Sequence, residues 1–182
     1  MALGTVEQAR VEILSAEDAK QTRNVERMLE GAQKIVASVQ YCWLVSRSDE
    51  SVRARPMGRL LPSENNDDWI IRFLTDRRSR KIADLRHTST VGLIFQNDGD
   101  DAFASLTGAA RLIEDVFEIR ALWKEDAHAR YFPTEKDRAN AGFIEVRIER
   151  MELWIRGVTP EPFGLHATIL QRNPNGSWYC AT

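Results

Sequence analysis

The stretch "GFIEVRIERMELWI", residues 142–155, alternates apolar and polar side chains twice, in two different phases. Ile144, Val146 and Ile148 share one face of an extended strand, and Met151, Leu153 and Ile155 then resume the alternation out of step. The side-chain period of a strand is two, so a slip of one residue would turn the second apolar set to solvent. Keeping both sets inside requires an extra residue near Arg150, as a bulge or bend. Trp154 then points away from its apolar neighbours.

The rest of the chain supplies partners for it. "YCWLVSR", the turn "SDES" and "VRARPMGRLL" read as a hairpin over residues 40–61. Pro56 has no amide hydrogen to donate, so it belongs at a sheet edge, at a bulge or beside something other than a strand. After the polar loop "PSENNDD" comes the strand "WIIRFLT", then a short helix within "SRKIADLRH" with Ser79 as its N-cap, then the strand "TVGLIFQ". The turn "NDGDD" leads to "AFASLTGAARLI", where Gly108 marks a bulge or a close backbone approach. Helices are expected from about Glu17, with Val25, Met28, Leu29, Ala32, Ile35, Val36 and Val39 on one face, and from about Glu114 to Glu125.

Six strands joined mostly by tight turns, with few helices, give a mainly β protein: an antiparallel six-stranded barrel with flanking helices rather than a doubly wound sheet. Residues 1–16 read as an N-terminal arm, 17–156 as the barrel domain, and 157–182 as an extension in which "ATILQ" and "SWYC" can form a small hairpin around "NPNG".

Several function classes lose their footing. No apolar run is long enough to span a membrane, and the N-terminus lacks the pattern of a secretory signal, so the cytoplasm is the expected compartment. The formal net charge of −2 disfavours nucleic-acid binding driven by bulk positive charge. Cys42 and Cys180 form no disulfide framework, and His87, His128 and His166 are isolated, with no metal-ligand spacing. These histidines read as surface or helix-end residues. No G-x-S-x-G, G-x-G-x-x-G or Walker sequence occurs.

What remains is a local excess of positive charge. "TDRRSRKIADL", residues 75–85, places Ser79, Arg80 and Lys81 at a helix start, where unpaired N–H groups and the helix dipole favour an anion. Cations in that position are unfavourable unless something negative joins them, and a phosphate suits the set. Arg55, on the strand before "WIIRFLT", can reach this helix if those two strands are neighbours. Taken alone, Arg53, Arg55 and Arg59 read as a solvent face, and Arg77 and Arg78 as merely solvated. Trp123 and Phe132 read as core, and Trp154 as either a dimer or a ligand contact.

In order along the chain, "RARPM", "WIIRFLTDRRSRKIADL", "VGLIFQND", "FASLTGAARLIED", "LWKEDAHARYFP" and "FIEVRIERMELW" resemble the pyridoxamine 5′-phosphate oxidase-related FMN-binding split barrels, and within them the general stress protein 26 branch. The resemblance spans roughly residues 22–156. It implies a homodimer with FMN at the interface. By matching positions it implies that Arg55, Ser79, Arg80 and Lys81 hold the phosphate, and that Pro56, Met57, Leu74 and Thr75 meet the ribityl chain and ring. Trp154 would approach from the partner subunit, with Trp123 a weaker candidate.

Two departures stand out: Phe103 replaces the oxidases' glutamine before "ASLTG", and no substrate-binding arginine and histidine pattern follows Trp154. The resemblance therefore implies an FMN-dependent oxidoreductase acting on a small substrate other than pyridoxamine phosphate, with a donor such as NAD(P)H and no side chain singled out as acid or base. The alternatives are a flavin-binding stress protein without turnover, acting as sensor or store, and a single-stranded nucleic-acid-binding barrel.

Overall fold

The structure, a computed structural model, describes residues 3–48, 51–60 and 69–181, with side chains from residue 17 onward. The polar loop expected at 62–68 and the middle of the turn at 49–50 lie outside the described residues.

Helix α1 (Leu3–Ser38) begins well before Glu17 and lays Val25, Met28, Ala32 and Ile35 onto the core. Strand β1 (Tyr41–Arg47) pairs antiparallel with β2 (Val52–Gly58), with Cys42 opposite Met57. Strand β3 (Ile70–Asp76) leads into α2 (Arg80–His87), and β4 (Thr90–Asn97) is joined to β5 (Ala102–Ile113) by a single 3-10 turn. Three short helices follow: α3 (Val116–Leu122), α4 (Glu125–His128) and α5 (Glu135–Arg138). Strand β6 (Ala141–Ile155) and the hairpin of β7 (Thr168–Arg172) and β8 (Trp178–Ala181) complete the chain.

Hydrogen-bonded neighbours run β2-β1-β4-β5-β6, with β3 on the other edge of the first half of β6. Six strands therefore form a ring that is split. Between β2 and β3 it is joined by the bridge of Arg59 to Phe73 and the bond from Leu60 N–H to the Arg72 carbonyl at 2.8 Å. The expected side-by-side meander of β2 and β3 is thus reduced to a point contact, because β3 spends its ladder on β6. Pro56 lies on an edge strand, where its missing donor costs little. The full sheet has eight strands, since β7 pairs with Arg150–Leu153 of β6 and β8 pairs with β7.

The bend near Arg150 is present. Thr107 faces Arg150 while Gly108 faces Ile148, leaving Glu149 as the extra residue. Both apolar sets of β6 are thereby buried, with Ile144, Val146, Ile148, Met151 and Leu153 inaccessible to solvent. Gly108 is required by contact: a Cβ there would sit 2.1 Å from the Arg147 carbonyl oxygen. The bulge also separates the stretch of β6 that pairs with β3 from the stretch that pairs with β7.

The helix expected over 114–125 is instead α3 followed by α4, and α3 buries none of its residues; Val116 and Phe117 are exposed. Its start follows from the Asp115 side chain, which accepts from the N–H groups of Phe117 and Glu118.

Candidate functional site

Where β2 and β3 part, two adjoining concavities open, and Lys81 lines both. The first, about 560 Å³, lies between β2 and the start of α2 and is walled by Arg53, Arg55, Ser79, Arg80, Lys81 and Asp84. The second, about 640 Å³, runs along Pro56, Met57 and Arg59 of the β2 side and Leu74 and Thr75 of β3, and is closed by the end of α1 and by Arg130, Tyr131 and Phe132. Of the ten residues singled out from the sequence, eight therefore fall on the walls of these two adjoining cavities, which share Lys81.

The charge of the first cavity is lopsided: four cations, Arg53, Arg55, Arg80 and Lys81, stand against Asp84. Asp84 is buried on the inner side of α2, between Ile82 and Leu85. Its carboxylate accepts from Arg53 Nη1 at 2.9 Å and from Arg55 Nη2 at 3.2 Å, and Arg55 also donates to Ser46 Oγ at 2.9 Å. This corrects the solvent-face reading of Arg53, Arg55 and Arg59. Arg53 and Arg55 turn to α2, which Arg55 reaches through Asp84 rather than across β3, and Arg59, one residue beyond β2, is tied to the carbonyls at the end of α1.

Ser79 precedes α2 with extended backbone, but its hydroxyl makes no cap bond; it accepts from Lys81 Nζ at 3.0 Å. Burial, and then the Arg55 charge, push the Lys81 pKa below its ordinary 10.5, partly offset by Asp76. An anion placed here would relieve both effects. The donor set therefore fits a phosphate monoester: a hydroxyl, two flexible or forked cations and a helix start without a side-chain cap. The adjoining groove, with Pro56, Met57 and Leu74 on its walls, fits an elongated, mostly apolar body attached to that phosphate.

Trp123 and Trp154 are not brought to these walls within one subunit. Trp123 packs edge-on against His128 (5.3 Å) and Phe132 (6.4 Å) and donates its indole N–H to Glu125 at 2.8 Å. Trp154 lies on the outer face of the sheet, paired in register with Phe103. That face is unusually apolar: Tyr41, Trp43 and Ile94 are 56%, 49% and 41% exposed, and Trp43 sits directly opposite Ile94.

Arg77 is not simply solvated. It donates to the carbonyls of Glu114 (3.5 Å) and Ala139 and packs over Gly142, where a Cβ would meet its Cγ at 2.7 Å. Arg78 is exposed and chelates Asp76 at 2.6 Å. Asp84 and the Arg130–Phe132 segment had no role from the sequence. An acid between two buried positions on a short helix, following three strand arginines, was the signal for Asp84.

A model of the pyridoxamine 5′-phosphate oxidase-like family matches residues 28–168. The chain belongs to that family. Solved structures with the same fold include a protein related to general stress protein 26 from Clostridium acetobutylicum, with TM-score 0.65 and 17% identity over 80% of this chain and 95% of that one. A pyridoxamine 5′-phosphate oxidase-related, FMN-binding protein from Nostoc punctiforme gives TM-score 0.63 and 13% identity over 85% and 93% of the two chains. General stress protein 26 from Bacillus anthracis gives 0.56 and 18% over 69% and 92%. No curated protein sequence matches.

His128 ends α4 but is buried, contrary to a surface reading, and its Nδ1 accepts the Lys124 N–H at 3.0 Å, which requires that nitrogen to be unprotonated. Burial, and secondarily the Lys124 charge, hold its pKa below 6.5. The unfolded chain then binds the proton more readily, so the His128 contribution is complete above pH 6.5 and is lost as the pH falls below it. Urea unfolding at pH 7.5 and 5.5 should show a lower midpoint at 5.5 in the native protein, with a smaller drop in His128→Phe; equal drops would contradict this role.

Proposed function

We propose that the chain is an FMN-binding flavoprotein that works as a homodimeric oxidoreductase on a small substrate, with residues 17–156 as the flavin-binding unit. The observation that carries this reading is the cationic cavity of Arg55, Ser79, Arg80 and Lys81 adjoining, across the shared Lys81, the groove along Pro56, Met57, Leu74 and Thr75. The FMN-binding relative from Nostoc supports it, as does membership of the oxidase-like family.

In this reading Lys81 and Arg80 neutralise the phosphate, and Ser79, whose oxygen accepts from Lys81, donates its free O–H to it. Arg55, oriented by its bonds to Asp84 and Ser46, adds its charge to the phosphate end from β2. Bound FMN supplies the redox chemistry, transferring a hydride or electrons between a donor such as NAD(P)H and the substrate. The β2 and β3 backbones orient it, and Tyr131 and Phe132 shield one end of the groove from water. Phe103 at the position of the oxidases' glutamine points to a substrate other than pyridoxamine phosphate. No helix among the described residues is long and apolar enough to cross a membrane, and the cysteines are free, with burial pushing the Cys42 thiol up to about 12. The free thiols suit a reducing compartment, and the reading places its action in the cytoplasm.

The purified protein should take up FMN. Ser79→Ala with Lys81→Ala should weaken it by more than about tenfold, since each charge-assisted bond contributes about 1.5–3 kcal/mol. Unchanged affinity in a fluorescence titration would remove the phosphate from this cavity. Rapid bleaching of the bound flavin by NAD(P)H would distinguish an enzyme from a store.

The exposed face of Tyr41, Trp43 and Ile94, continued by Phe103 and Trp154, supports the dimer, for it needs a cover of matching apolarity. It also supports a place for Trp154 at the partner's flavin. Trp43→Glu should sediment as a monomer and lose FMN together; a dimer that survives the charge would place the interface elsewhere.

A further inference from the structure

Three cations stand on the wall of the 640 Å³ groove: Lys81 at the end shared with the phosphate cavity, then Arg59 and Arg130. They are held very differently. Arg130 is exposed, and its guanidinium reaches its own neighbour, donating to the Tyr131 hydroxyl at 2.7 Å and lying 4.6 Å from that ring. Arg59 is half-buried and fixed at several points. Its Nε donates to the Val39 carbonyl at 2.9 Å and its Nη2 to the Ala37 carbonyl at 2.6 Å. Its backbone N–H donates to Gln40 at 3.1 Å, and the same residue forms the bridge to Phe73 that joins the ring of strands.

The carbonyls it caps belong to the last turn of α1 and the residue just beyond, where a cation is favoured by the helix dipole. Among the described residues no carboxylate pairs with it. Arg59 is therefore a preorganised, partly desolvated charge that cannot swing away. It stands four residues along the strand from Arg55, which is about 13 Å at the usual rise per residue. It belongs to the far end of the groove from the phosphate.

We infer that Arg59 makes this groove prefer FMN with a reduced, anionic ring over FMN with an oxidised, neutral ring, and so sets the flavin's reduction potential. The inference rests on the flavin reading above. Reduction delivers two electrons from a donor and one proton from solvent to the ring, which leaves it with one negative charge. A cation already in place stabilises that charge without reorganising, and more strongly than water would. By linkage, tighter binding of the reduced form raises the potential by the equivalent amount.

The test uses the full chain and measures the dissociation constants of oxidised FMN and of dithionite-reduced FMN under anaerobic conditions. The native protein should bind the reduced form roughly tenfold or more tightly than the oxidised. In Arg59→Met, or in Arg59→Gln, which keeps a donor for the α1 carbonyls, the two constants should come within about twofold. Arg59→Lys, which keeps the charge, should retain most of the preference. Arg47→Gln, at the end of β1 and outside the groove, should leave it unchanged. A folded Arg59→Met or Arg59→Gln with the preference intact overturns the inference, and so do equal affinities in the native protein. A native protein that binds neither form refutes the flavin reading itself, which is a separate outcome.

Discussion

The ring of strands is joined between β2 and β3 at Arg59 and Phe73, and the site depends on how little joins them. A continuous ladder there would have brought the two strands within hydrogen-bonding distance along their length and filled the space now lined by Pro56, Met57, Leu74 and Thr75. The opening follows from events elsewhere in the sheet. β3 is drawn onto the first half of β6, and the bulge at Glu149 lets the same strand change partner to β7 without exposing either apolar set. The bent strand thus keeps the core closed while the groove stays open.

Electrostatics supplies the second constraint. Placing four cations around one small cavity would be repulsive without compensation, and the buried Asp84 supplies part of it by pairing with Arg53 and Arg55. The compensation is incomplete: burial first, and then the remaining Arg55 charge, push the Lys81 pKa below its ordinary value. An incompletely neutralised cavity stores a preference for an anion. The same logic applies at the other end of the groove, where Arg59 is anchored by carbonyl dipoles rather than by a carboxylate.

Much of this was legible in the residues, and the failures have physical causes. The phase change in "IEVRIERMELWI" located the bulge because strand periodicity leaves no other way to bury both sets, and Gly108 marked its opposite side. Arg55, Ser79, Arg80 and Lys81 stood out because strand alternation and helix starts are local properties, whereas Pro56, Met57, Leu74 and Thr75 came only with the family resemblance of "RARPM" and "WIIRFLT". The outward look of Arg53, Arg55 and Arg59 was misleading, since three arginines in alternation resemble a solvent face until a buried acid on another element is known. Asp84 is a non-local partner, thirty-one residues from Arg53, and its place between the apolar Ile82 and Leu85 signals burial without saying which strand supplies its partners. The exposure of α3 was equally hidden. Val116 and Ile119 have helical spacing, but periodicity says that a face is apolar and not what covers it.

The most direct test is calorimetric titration of the purified protein with FMN and, separately, with riboflavin, which carries the same ring without the phosphate. If Ser79, Arg80, Lys81 and Arg55 form a phosphate site that opens into the ring groove, FMN should bind at least about a hundredfold more tightly than riboflavin. Equal affinities for the two, or no binding of either, would contradict it.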